Sequence, residues 1–133
     1  MDKTFQASDI EACAASIIEA AGSNPKEART VARNLVLANL TGHDSHGVGM
    51  VPRYVDAVLE GGLKPNAHIK VNLDAGALLA LDAQRGYGQV AGEPERAARA
   101  LRERDGIAID EQTRKEILGA ARKVNAPIDS AWA

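Results

Sequence analysis

The feature that most limits the fold is a pair of apolar stripes at helical spacing, set one after the other and separated by Gly22-Ser23-Asn24-Pro25. In the first, Ile10, Ala14, Ile17, Ile18 and Ala21 recur every three or four residues, which puts them on one face of an α-helix. Ser8 and Glu11 stand at capping-box spacing, so the pattern predicts a helix that begins at Ser8 and stops at Gly22. In the second, Asn24 suits an N-cap and Pro25 the first helical position, while Val31, Leu35 and Ala38 form the stripe that Gly42 ends. Two helices with so short a link fold back on each other as an antiparallel pair.

Further along, Pro52 opens a third helix with Tyr54, Val55, Val58 and Leu59 on one side and Gly61-Gly62 at its end. The period then changes to two. Ile69, Val71 and Leu73 alternate with Lys70 and Asn72, and the run Ala77 to Leu81 follows a turn at Asp74-Ala75-Gly76, the pattern of a β hairpin. Two strands alone are marginal in water, so this pair has to lean on the helices or on another chain. Residues 93–104 read as a charged, exposed helix or arm. Asp110 caps a last helix with Ile117, Leu118, Ala121 and Val124 as its stripe, and the tail around Trp132 is expected to be loosely held. Aromatic residues are only 3%, so the core falls to Ala, Leu, Val and Ile, which favours closely packed helices. The fold class expected is mainly α with a small β hairpin (α+β), and the 133 residues fit one domain spanning 1–133.

Charge and hydropathy remove several function classes. A formal charge of -2 with Lys and Arg scattered along the chain offers no basic face for a phosphate backbone, so no nucleic-acid partner is expected. No apolar run approaches the roughly 18 residues of a membrane span, and the start lacks a signal-like stretch, which makes the cytoplasm the default location. The lone Cys13, between Ala12 and Ala14, reads as a small buried residue with no intrachain disulfide partner.

Chemistry concentrates in Gly42-His43-Asp44-Ser45-His46-Gly47. Glycines let a ligand approach the backbone, and histidine titrates nearest neutrality, so His46 is the candidate general acid/base with Asp44 or Ser45 to orient it. The competing interpretation is a polar turn whose histidines cap helix ends. His43, Asp44 and His46 are all possible zinc ligands, but no further Cys or His cluster completes a site, so no metal is assigned. His68, at the start of a strand pattern, reads as a surface residue. Arg53, through its forked donors, and Tyr54 are candidates for holding a carboxylate.

The stretch from Val36 to Val58, with Ala38-Asn39-Leu40, the histidine loop continuing through Val48-Gly49-Met50, and Pro52-Arg53-Tyr54, resembles the N-terminal region of the type-2 malate/L-lactate dehydrogenase family, its hydroxycarboxylate dehydrogenase branch above all. The similarity continues through Leu81-Asp82 and Gly86-Tyr87-Gly88-Gln89-Val90, so that residues 1–90 resemble the family's N-terminal region. Residues 92–126, from Gly92-Glu93-Pro94-Glu95-Arg96 through Arg104-Asp105-Gly106-Ile107, resemble its C-terminal tail. The resemblance implies an internally deleted member of a NAD- or NADP-dependent oxidoreductase family that interconverts small 2-hydroxy and 2-keto acids. On that likeness His46 is the proton donor to the substrate carbonyl, Ser45 a small hydroxyl beside it, and Gly92, Glu93 and Pro94 a segment that approaches the nicotinamide cofactor. Many members carry an arginine four residues after the histidine for the substrate carboxylate. Met50 stands there instead, which leaves Arg53 as the substitute. Gly86-Tyr87-Gly88 lacks the third glycine of a dinucleotide fingerprint, and the family's cofactor domain has no counterpart. The chain alone is therefore expected to be inactive and not to bind the cofactor tightly, and to form a homo-oligomer because a missing domain uncovers apolar surface. The alternative is a catalytically inactive helical self-association module.

Overall fold

The computed structural model describes residues 2–87 and 102–133. In chain order these form β1 (Lys3–Phe5), α1 (Ala7–Ala20), α2 (Pro25–Leu40), two 3-10 turns at Asp44–His46 and Val48–Met50, α3 (Val51–Leu59), β2 (Lys70–Asp74), β3 (Leu79–Asp82), β4 (Ile107–Ile109), α4 (Glu111–Lys123) and a 3-10 turn at Ser130–Trp132. The described residues are mainly helical with two small two-stranded sheets.

Local sequence explains the start of α2: the Asn24 side chain accepts from the backbone N–H of Glu27 at 2.8 Å, and Pro25 occupies the first helical position. The start of α1 differs from the capping-box expectation. Gln6 is the N-cap, with no side-chain cap bond, and its carbonyl accepts from the N–H of both Asp9 and Ile10. The cause lies upstream, where Phe5 is buried and β1 pairs antiparallel with β4, so the chain enters α1 already fixed and Ser8 falls inside the first turn. These two strands were not foreseen. Gly106, at a φ of 88°, makes their pairing possible, because a Cβ there would lie 2.7 Å from Thr4 Cγ2 and 2.9 Å from the Phe5 carbonyl.

The two opening helices pack together as expected, and α3 and α4 close over them to form one hydrophobic cluster. Cys13 lies inside it, and burial pushes its thiol up to about 12. The buried face of α2 is Ala28, Ala32, Leu35, Val36, Asn39 and Leu40, whereas Val31 and Ala38 are only half-buried, so the stripe is turned from the one expected. In α3, Val51 and Val55 face the core and Leu59 is exposed, because nothing in the described residues covers its end. Asp110 caps α4 as expected, accepting from Thr113 N–H at 2.9 Å, and the buried residues there are Ile117, Ala120 and Ala121.

The expected loose tail is instead fixed. Trp132 is 1% exposed and stacks on Phe5 with ring centroids 4.2 Å apart, while Arg114 donates to the Trp132 carbonyl and Lys3 Nζ donates to Ala133 O at 2.8 Å. The two ends of the chain thus share one aromatic contact, which a sequence with 3% aromatics hid well. The β2–β3 hairpin does the opposite: every residue of β2 is exposed, and Ile69, Val71, Leu73, Leu78, Leu79 and Leu81 lie in water.

Candidate functional site

The loop that follows α2 is organised by a polar side chain on that helix's buried face. Asn39, 4% exposed, accepts from Val48 N–H at 2.8 Å through Oδ1 and donates to Asp44 Oδ1 at 2.9 Å through Nδ2. Gly47 is required by this approach, since a Cβ there would sit 2.2 Å from Asn39 Oδ1. Arg102, among the helical residues 102–105, donates to both Asp44 oxygens at 2.7 and 3.1 Å and also to the Asn39 carbonyl. Hydrogen bonding from Arg102 holds the Asp44 carboxyl below its ordinary range, with the Asn39 bond and the nearby positive charge of Arg102 adding to the effect. The loop backbone is closed by His43 N–H donating to the Ala38 carbonyl at 2.8 Å and His46 N–H to the His43 carbonyl at 3.0 Å.

On this frame His46 is exposed, and Ser45 Oγ lies 3.0 Å from its Nδ1. The sequence left Asp44 and Ser45 as alternative orienting partners. Only Ser45 meets the ring, because Asp44 is engaged by Arg102 and Asn39. Among the described residues Nε2 has no hydrogen-bond partner. Arg53 sits elsewhere, on an open surface depression of about 370 Å³ shared with Tyr54, Ala57 and Tyr87; neither Ser45 nor His46 lines it. Tyr87 packs edge-on against Tyr54 there, and burial pushes its hydroxyl up to about 12. His68 is exposed. Gly92, Glu93 and Pro94 lie outside the described residues, as does most of the arm at 93–104. Sequence reasoning missed Asn39 and Arg102. The first carries a signal, a polar residue on a helical face with Leu35, Val36 and Leu40, and the second carries none.

Among the described residues no group of three or more His, Cys, Asp or Glu side chains could hold a metal ion, and no helix is long and apolar enough to cross a membrane. Nor do those residues fit a dinucleotide. A pyrophosphate is held by several N–H groups at a helix N-terminus, but α1, α2 and α4 carry Asp9, Glu27 and Glu111 in their first turns, where a second negative charge is opposed, and α3 opens with buried Val51 and with Pro52, which has no N–H.

Residues 5–93 match the family described as malate/L-lactate dehydrogenase. The chain belongs to this family. It is 44% identical over 87 residues to hydroxycarboxylate dehydrogenase B of Escherichia coli O157:H7, covering 65% of this chain and 24% of that one. Among solved structures it is similar to malate dehydrogenase from Pyrococcus horikoshii OT3, at 30% identity and a TM-score of 0.63, over 66% of this chain and 25% of that one. A looser likeness, of fold alone, joins it to delta1-piperideine-2-carboxylate reductase from Pseudomonas syringae pv. tomato, at 24% identity and a TM-score of 0.57, over 91% of this chain and 31% of that one. The chain therefore spans about a quarter of the length of the family relatives it matches.

Proposed function

We propose that this chain carries the proton-transfer half of a NAD(P)-dependent oxidoreductase acting on small 2-hydroxy and 2-keto acids, without the half that holds the nucleotide. Residues 1–90 supply the helical domain and 92–126 the tail of the parent enzyme, joined directly. The likeness at residues 5–93 and the quarter-length match support this reading, as does the fold likeness that reaches 91% of the chain. The observation that carries it is an exposed imidazole on a fixed loop: Ser45 Oγ lies 3.0 Å from His46 Nδ1, and Nε2 has no partner among the described residues.

In this reading His46 gives a proton from Nε2 to the oxygen of a 2-keto acid, and in the reverse direction accepts one from the 2-hydroxyl. Ser45 holds the ring through Nδ1, and the imidazolium stabilises negative charge developing on the substrate oxygen. Arg53 is assigned to the substrate carboxylate by the same reading, and Gly92, Glu93 and Pro94 to the side facing the cofactor. The described residues provide no dinucleotide cradle, so the chain alone is not expected to turn over substrate.

Two titrations test this. Adding pyruvate while observing the His46 ring by NMR should give a saturable shift in the millimolar range, and no shift would remove the substrate assignment. Adding NADH while following nicotinamide fluorescence should give no saturable change, and saturable binding would refute the missing nucleotide half. A second reading, a catalytically inactive self-association module, is favoured by one observation, the apolar hairpin left in water.

A further inference from the structure

Asp44 is the one carboxylate in the loop 42–47, and it opens the 3-10 turn that His46 closes. A carboxylate accepts from any N–H within reach, and this side chain is 58% exposed, so a nearby imidazole competes for it. Its oxygens are already taken. Oδ1 accepts from Asn39 Nδ2 at 2.9 Å and from Arg102 at 2.7 Å, and Oδ2 accepts from Arg102 at 3.1 Å. Two N–H groups on two oxygens is the forked pairing that a guanidinium makes and an ammonium cannot. Arg102 also donates to the Asn39 carbonyl at the end of α2, a helix with no basic residue in its own last turn. One cation therefore answers both the carboxylate and the negative end of the helix. Asn39 alone would leave Oδ2 open, since its bond goes to Oδ1.

We propose that Arg102 is a positioning residue for His46: by holding both oxygens of Asp44 it keeps that carboxylate off the imidazole and leaves Nδ1 to Ser45. The partner at Nδ1 matters to a proton donor. A hydroxyl both donates and accepts, so Ser45 Oγ, 3.0 Å away, can stay bonded whether or not Nδ1 carries a proton. A carboxylate only accepts, so it would hold a proton on Nδ1, favour the positive ring and make that ring a poorer donor to a substrate oxygen. The proposal rests on the reading of His46 as the proton donor. It adds that a residue 56 positions further along the chain, with no substrate contact of its own, decides which neighbour the ring meets.

Nitrogen-15 NMR of the neutral histidine rings in the full chain tests it, because the ring shifts report which nitrogen carries the proton. In Arg102→Met the share of His46 rings protonated at Nδ1 should rise about threefold as Asp44 turns to the ring. Arg102→Lys should fall between that variant and the native chain, since one ammonium covers one oxygen at a time. Adding Asp44→Asn to either substitution should return the ring to its native state. An unchanged ring in Arg102→Met overturns the proposal. So does a change that persists in the double variant, which would make Arg102 merely structural, or a change confined to His43, whose positive form also lies near Asp44. Circular dichroism checks that each variant is folded; should Arg102→Met fail to fold, Arg102→Lys with and without Asp44→Asn carries the same comparison. The ring is read without pyruvate, so a failed pyruvate titration removes the substrate assignment and leaves this result standing, whereas an unmoved ring beside a successful titration removes the role of Arg102 alone.

Discussion

At the scale of single residues, the loop depends on Asn39 more than on its own histidines. Asn39→Ala leaves the N–H of buried Val48 without its acceptor and frees Asp44 from one donor, and should cost about 2 kcal/mol, within the range for an unsatisfied buried group. Urea unfolding checks this. His46→Ala should move stability by less than about 0.5 kcal/mol, because the ring is exposed and, among the described residues, is hydrogen-bonded only to its neighbour Ser45. The Asp44–Arg102 pair makes a pH prediction. The folded carboxyl is held below its ordinary value, so its contribution is fully present above about pH 4 and is lost as pH falls through the lower folded value. The Asp44 side chain is 58% exposed, so the amount is under about 1 kcal/mol. Asp44→Asn should flatten that segment of the stability profile and lower the plateau above about pH 5 by the same small amount without changing its slope; an unaltered acid limb would assign the effect to other groups. His46 and Ser45 were legible in the sequence because their types stand out in a glycine-rich loop. Arg102 was not, since nothing in residues 102–105 announces which carboxylate they will meet.

At the scale of elements, the helices were legible where their ends are written in local chemistry. Asn24 and Asp110 cap α2 and α4 as their positions announce, and Asn24→Ala should cost about 1 kcal/mol in thermal or chemical unfolding, with Asn24→Ser near neutral. Ser8 misled because a capping box competes with what precedes it. β1 pairs with β4 and delivers Gln6 as the cap instead. Three-residue strands carry too little periodicity to be read, and their partners lie a hundred residues away. The β2–β3 hairpin was legible, being five and four residues long with a turn between.

At the scale of the whole molecule, the ends of the chain close the structure. Phe5 and Trp132 stack within the one hydrophobic cluster, and Trp132→Ala should cost about 3 to 5 kcal/mol, the range for removing a large buried aromatic. A thermal shift of only a degree or two would mean that the tail is held by Arg114 and Lys3 rather than by the ring. The exposed hairpin lies at the other extreme and contributes nothing to that cluster.

What the amino-acid order settled by itself is what has a purely local cause: the caps at Asn24 and Asp110, the α1 stripe, the hairpin turn, and the family to which the histidine loop belongs. Only the tertiary structure decided the placement of Arg102 on Asp44, the rotation of α2 that buries Asn39, and the seating of Trp132 on Phe5. These rest on contacts between residues far apart in the chain. Their energies depend on which surfaces the packed helices bring together, and no short window of sequence contains that information.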